Sequence, residues 1–376
     1  MTEAEKLLRE LIALPSVNPA FLPSGDPHAG EERVADFLVA TAARAGLDIE
    51  LQKVSASRSN LLATLSPSGK IKQRILLAPH LDTVGVFSED QFVPRKKDDR
   101  LFGRGACDTK GSVAAMLTAL SHLAKSKRRP SETEIIFAGL VDEENAQIGS
   151  RALANSGLKA NLAIVGEPTK NQIVTAHKGS LWLRFETQGK AAHGARPELG
   201  VNAVHEMARI VDLLQTTYAA QLRRRRHPLL GHATISVGTI SGGTQPNIVP
   251  ASCLVSADRR TLPGESEDSV RAEILALLRK HKLKAVISSG KQTGCFSLET
   301  NFKLPLVQNF FQIARQKKPA GVDYFCDAAV LAHGGISSVV FGPGDIAQAH
   351  TADEWISIRS LERATAILIN FLQSLP

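Results

Sequence analysis

Short apolar runs alternate with longer segments of helical period along most of this chain. Residues 2–14 space their apolar side chains as a helix does, with Thr2 and Glu5 in a capping-box arrangement and Pro15 as a stop. Residues 31–45 predict a second helix ending at Gly46, and strands follow at residues 47–54, 60–65 and 74–80. A helix is predicted over 112–124. The runs EIIFAGLV (134–141) and LAIV (162–165) are short, apolar and bounded by turn residues, which reads as buried strand. Strands interleaved with helices predict an α/β fold, with a mixed, mostly parallel sheet covered by helices on both faces.

The pattern changes near Gly179. SLWLRFETQG (180–189) alternates like a half-exposed strand, a helix follows over 201–214, and residues 233–243 and 251–260 read as two more strands. A helix over 269–278 and a strand over 284–288 complete a split βαβ order of α+β type. The earlier alternation then resumes, with a strand over 337–343 and a closing helix over 356–375. The expected organisation is a discontinuous larger domain, residues 1–178 and 290–376, with a smaller domain, residues 179–289, inserted in it.

At 376 residues the chain has room for both cores. Its 43% hydrophobic and 22% charged residues are ordinary for a globular protein. No apolar run approaches the roughly 18 residues of a membrane span, and the opening helix lacks a signal peptide's unbroken apolar stretch. A cytoplasmic protein with no membrane partner is expected. The net charge of +8 raises the question of an anionic partner. Its densest run, Arg223 to Arg226, has no interleaved aromatic residues and reads as a solvated helix end or loop, so nucleic acid is not expected. The four cysteines form no C-x-x-C pair, which gives neither a structural-zinc signature nor a disulfide framework.

The candidate chemistry lies where apolar runs end. His80 and Asp82 close ILLAPHLD, Asp108 sits in GRGACDTKG, Glu143 and Glu144 close IIFAGLVDEE, Glu167 closes LAIVGEP, and His350 follows VVFGPGDIAQAH. Ligands collect beyond the carboxyl ends of the strands in an open α/β sheet, so these residues can converge despite their separation in sequence. Two imidazoles and several carboxylates so placed can hold two divalent metal ions, and a two-metal site points to hydrolysis. Asp82, two residues from His80, can hydrogen-bond the far ring nitrogen and fix the tautomer. Glu143 and Glu144 are neighbours in a turn and can face differently; the alternatives are that both are ligands or one is a spectator.

PHLDTV, GRGACDTKG, DEE, GEPT and the late AH closely resemble, in order and over nearly the whole chain, the motifs of a family of cocatalytic metallohydrolases. That family includes acetylornithine deacetylase, succinyl-diaminopimelate desuccinylase, aminoacylase and glutamate carboxypeptidase. The ending GPGDIAQAHTADEWISI looks most like the acetylornithine deacetylase branch. The resemblance implies that Asp108 bridges two ions, that His80 and Glu167 complete one shell, and that Glu144 and His350 complete the other. It implies Glu143 as general base and Asp82 as the residue orienting His80. Zinc is the default ion for such ligands, with cobalt or manganese as substitutes.

The inserted domain resembles the family's lid, through which a homodimer is expected. His193 then matches the lid histidine that reaches the partner's active site, the alternative being a surface histidine in a glycine-rich turn. Arg260 matches an arginine that binds the substrate carboxylate, and Asn247 a substrate-contacting asparagine. Their alternatives are an ion pair of Arg260 with Asp258 or Glu265, and a turn role for Asn247. Lys178 is a further candidate for contact or hinge. Cys326 stands where many relatives have threonine; as a poor hydrogen-bond donor it leaves substrate identity open, and a small buried residue is the plainer reading. The implied activity is hydrolysis of an N-acyl amino acid. The same ions also serve a desuccinylase or a dipeptidase or carboxypeptidase. A non-catalytic scaffold is the alternative from another class, but it would be expected to have lost Glu143 or a ligand, and none is missing.

Overall fold

A computed structural model describes residues 1–290 and 294–376; residues 291–293, near the start of the expected 290–376 stretch, lie outside the description. The chain forms two compact units. One comprises Met1–Thr175, Thr300–Ala320 and Cys326–Pro376, the other Ala176–Glu299 and Gly321–Phe325.

The larger unit is built on a mixed sheet. Its strands run in the order Asp48–Lys53, Ser59–Leu65, Thr133–Gly139, Gln73–Pro79, Leu162–Gly166 and Ser338–Val340. The last four pair in parallel, while Asp48–Lys53 and Ser59–Leu65 form an antiparallel flank. The parallel strands are apolar along their length because both faces are covered. Ile75, Leu77, Ile135, Phe137 and Ile164 join one core with the helices Glu3–Ile12, Glu32–Arg44, Lys110–Lys125, Pro305–Ala314 and Ile358–Gln373. Leu76, Ile136, Ala163 and Val165 alternate with them and are also buried, pointing to the opposite face. The helix Asp327–His333 packs on Leu162–Gly166 and Ser338–Val340. The first helix starts at Thr2, whose hydroxyl accepts from the Glu5 N–H.

The smaller unit has an antiparallel sheet in the order Thr234–Gly242, Ser252–Thr261, Gly179–Gln188, Val286–Ser289. Leu181, Leu183 and Phe185 face the helices Ala203–Leu213 and Glu267–Lys280, meeting Met207, Ile210, Val270 and Ile274 in a second core. Trp182, Arg184 and Glu186 point the other way and are exposed. Several elements depart from the sequence pattern. The helix predicted to stop at 214 continues through a π-helical turn, Leu214–Tyr218, into Ala219–Arg224. Buried Tyr218 holds it there, its hydroxyl accepting from Arg259 Nε at 3.3 Å. The closing helix begins at Ile358, because Trp355–Ser357 pairs as a strand with Arg100–Phe102. Among the described residues no helix is long and apolar enough to cross a membrane.

His177, in the smaller unit, gives a pH prediction. It is fully buried, its Nδ1 lies 2.8 Å from the Lys178 carbonyl, and Nε2 has no partner among the described residues. Burial lowers its pKa to about 4. Between about pH 6.5 and 4 the unfolded chain binds a proton that the folded chain refuses, so stability is full above this window and falls through it. The loss amounts to about 3 kcal/mol. Urea unfolding at pH 7 and 4.5 should show this component in the native chain and its absence in His177→Gln.

Candidate metal centre

His80 and Glu167 sit where core strands end. His80 directly follows the strand Gln73–Pro79, and the Leu81 N–H donates to Leu140 at 2.8 Å, which sets the turn after that strand beside the turn after Thr133–Gly139. Glu167 directly follows Leu162–Gly166. His350 follows the short turn Ile346–Gln348 in a left-handed conformation, φ 61°.

Asp108 lies at the end of a glycine-rich loop before the helix Lys110–Lys125. Gly105 has φ +78° there, and a Cβ on it would meet Thr83 and Lys110 at 2.9 Å. The Asp108–Thr109 peptide bond is cis. Glu354 holds this loop. Its Oε1 accepts from the Cys107 and Asp108 N–H groups at 2.8 and 3.0 Å, and its Oε2 from Gly105 N and Arg104 Nη1 at 3.0 and 2.8 Å. Both side chains are buried. Glu354→Ala strands a guanidinium and three N–H groups, and should cost about 3–5 kcal/mol in urea unfolding.

The carboxylate of Asp108 faces two ways. Its Oδ1 is 3.1 Å from His80 Nε2, and its Oδ2 is 3.3 Å from His350 Nε2. Glu167 Oε1 lies 3.9 Å from His80 Nε2, and Glu144 Oε2 lies 3.2 Å from His350 Nε2. Two groups result, His80–Asp108–Glu167 and Asp108–Glu144–His350, each offering ligand atoms within 4.8 Å of one another and sharing Asp108. Glu143 joins neither. Its N–H and that of Glu144 each donate to the Asp82 carboxylate at 3.1 Å, so one buried side chain fixes the turn carrying both glutamates. His80 Nδ1 is 3.0 Å from the Asp82 carbonyl and 3.4 Å from its Oδ1, so the backbone oxygen is the nearer tautomer-setting partner.

The electrostatics describe a place short of positive charge. Burial, then the Asp108 carboxylate, pushes Glu144 up to about 7. Burial and Glu167 raise Glu143 well above the usual range, and burial followed by neighbouring carboxylates does the same to Glu167. Hydrogen bonds to Asp108 and Glu144 raise His350 to about 10. Burial would raise Asp108, but the two histidines hold it below its ordinary value. Glu144 Oε1 and Glu167 Oε1 are buried with no hydrogen-bond partner among the described residues, a costly state for carboxylates. Imidazole and carboxylate donors with orphaned oxygens fit divalent cations of the zinc, cobalt and manganese type.

The remaining predicted residues belong to the smaller unit. His193 is exposed, its Nδ1 accepting from the Ala195 N–H at 3.1 Å. Asn247 is exposed beside it, its carbonyl accepting from Gly194 at 2.7 Å. Arg260 is at the other end of the strand Ser252–Thr261, paired with Ser180, whereas Cys253 pairs with Thr187 near the Asn247 end. At about 3.3 Å per residue, roughly 23 Å separates Arg260 from Cys253. Arg260 Nε is 2.7 Å from Asp258 Oδ2, while Glu265 is taken by Arg259 at 2.6 Å. Lys178 Nζ pairs with Asp323 at 2.7 Å. Back in the larger unit, Cys326 is buried and precedes the helix Asp327–His333. Glu354 and Asp142 were legible only as members of HTADE and DEE, with no signal of what they hold.

Comparison with known proteins shows the family. Acetylornithine deacetylase of Myxococcus xanthus is 30% identical over 347 residues, covering 89% of each chain. The M20 family metallo-carboxypeptidase Sso-CP2 of Sulfolobus solfataricus superposes with a TM-score of 0.77 at 20% identity, over 99% of both chains. The Bacillus subtilis YXEP protein, described as a dinuclear metal binding peptidase from the M20 family, gives 0.72 at 13% identity over 98% of this chain and 96% of that one. The sequence profile of peptidase family M20/M25/M40 matches residues 76–374. Since that match opens on the strand leading to His80 and runs into the last helix, the chain belongs to peptidase family M20/M25/M40 and is an enzyme of the metallopeptidase and amidohydrolase class.

Proposed function

We propose that this enzyme hydrolyses the amide bond of a short N-acyl amino acid, in the manner of acetylornithine deacetylase, at a site holding two divalent ions. The observation that carries the reading is the two-sided carboxylate of Asp108, with a histidine and a glutamate completing a group on each side. His80, Asp108 and Glu167 would hold one ion, and Asp108, Glu144 and His350 the other, zinc being the first choice by ligand type. When bound, such ions lower the pKa of water to near neutrality and polarise a carbonyl oxygen.

Glu143 is the general base. Its turn is anchored by Asp82 but its carboxylate stands outside both ligand groups, which leaves it to take a proton from the attacking water and return it to the leaving amine. Arg260 is assigned the substrate carboxylate, for which a guanidinium provides two parallel donors. His193 and Asn247 are assigned to substrate contacts at a partner's site, and their distance along the sheet from Arg260 suits residues serving two different sites. The chain would then work as a homodimer joined through the smaller unit. Buried thiols at Cys107, Cys253 and Cys326 fit a reducing compartment, and we place the protein in the cytoplasm.

A panel of acetyl, succinyl and aminoacyl derivatives, assayed with and without chelator, tests this reading. Cleavage of acetylated amino acids, N-acetylornithine first among them, with loss of activity on chelation, is expected. Cleavage of dipeptides alone, or activity indifferent to chelator, overturns it.

A further inference from the structure

Beneath the Glu143–Glu144 turn, Asp82 leads into a line of buried polar groups that the proposed chemistry does not otherwise use. Asp82, which accepts both turn N–H groups, in turn accepts from Asn18 Nδ2 at 2.7 Å. The same amide nitrogen donates to Asp142 Oδ1 at 2.9 Å, so one NH2 group bridges two carboxylates. Arg58 Nη1 donates to that Asp142 oxygen at 2.7 Å, and Arg58 Nε donates to Glu31 at 3.0 Å. Glu31 closes the line by accepting from the Asp142 N–H at 3.1 Å. Asn18, Glu31, Asp82 and Asp142 are each at most 2% exposed.

Asn18 is itself fixed. Its N–H donates to Thr83 at 2.8 Å, and its Oδ1 accepts from Ala20 at 3.0 Å. Asp142 adopts φ 68°, a left-handed conformation uncommon for non-glycine residues and best tolerated by aspartate and asparagine. Its Oδ2 and carbonyl accept from Ala146 and Gln147 at 3.2 and 2.7 Å, so the turn is wound around it. Ionised carboxylates only accept hydrogen bonds. Two of them buried side by side need a donor between them, and the two hydrogens of a single amide meet that need with no added charge.

We propose that Asn18 is a positioning residue for the Glu143–Glu144 turn: by tying Asp82 to Asp142 it fixes which glutamate faces the ions and which faces the water. Asp82 anchors the two N–H groups of the turn, and Asp142 is the residue from which the turn starts. Loss of the bridge lets the two anchors separate, and Glu144 loses its alignment with His350. This rests on the two-ion reading above.

The test is cobalt(II) titration of the metal-stripped full chain, read by visible absorption and without substrate. The native chain should take up two equivalents; uptake of none shows that the two-ion reading itself is wrong, before any variant is compared. Asn18→Leu removes the amide while keeping the branched shape of the side chain. It should bind one equivalent as before and the other about tenfold or more weakly, with a changed absorption band, as expected when a group supporting a ligand is removed. Asn18→Ser keeps one hydroxyl donor and should fall between the two. If Asn18→Leu does not fold, the serine variant decides by the same readout. Wild-type affinities and spectrum in the variants, even with a lowered melting temperature, would show Asn18 to be merely structural and overturn the inference.

Discussion

Glu143→Gln is expected to lower kcat by about three orders of magnitude while the protein keeps its full complement of ions. Glutamine preserves the shape of the side chain and the backbone N–H that donates to Asp82, but it cannot take a proton from water. The two readouts separate the roles of adjacent residues. Glu143 stands outside both ligand groups and Glu144 lies within one, so Glu144→Gln should lose metal as well as activity. Metal content by elemental analysis beside steady-state kinetics distinguishes the cases, and loss of an ion from Glu143→Gln would show that its role is misassigned.

Asp108→Ala should produce the largest loss of metal of any single substitution. Its two oxygens serve both groups, so its removal leaves each with one histidine and one glutamate. The variant should retain less than one ion per chain after dialysis and show activity at assay background. His80→Ala or His350→Ala, each touching one group, should retain about one. Thermal stability gives an independent check. Ligands that bind only the folded state stabilise it by RT ln(1 + [L]/Kd), about 4 kcal/mol at a thousandfold excess over Kd. Added zinc should therefore raise the melting temperature of the native chain and leave Asp108→Ala nearly unmoved.

Much of this site is visible in the sequence because strand ends announce themselves. ILLAPH, IIFAGLVDEE and LAIVGE are apolar runs closed by polar residues, and parallel strands place such ends on one edge. What supports the site is not visible. Asn18 reaches Asp82 and Asp142, and Glu354 reaches the 105–108 loop, across wide sequence separations that no local pattern encodes. The smaller misreadings have local causes. Ile148–Asn155 and Asp327–His333 are too short to show a helical period. ISI before the closing helix fits that helix's period as well as a strand, and only its pairing with Arg100–Phe102 decides. Tyr218 could not be recognised as the residue that prolongs its helix, because its hydroxyl partner Arg259 lies on a strand 41 positions on.

The shared carboxylate is open to direct observation. Anomalous scattering at the zinc edge from crystals of the full chain should show two peaks about 3.5 Å apart, one beside His80 and Glu167, the other beside Glu144 and His350, with Asp108 between them. A single peak, or two peaks with Asp108 turned away from either, contradicts the account.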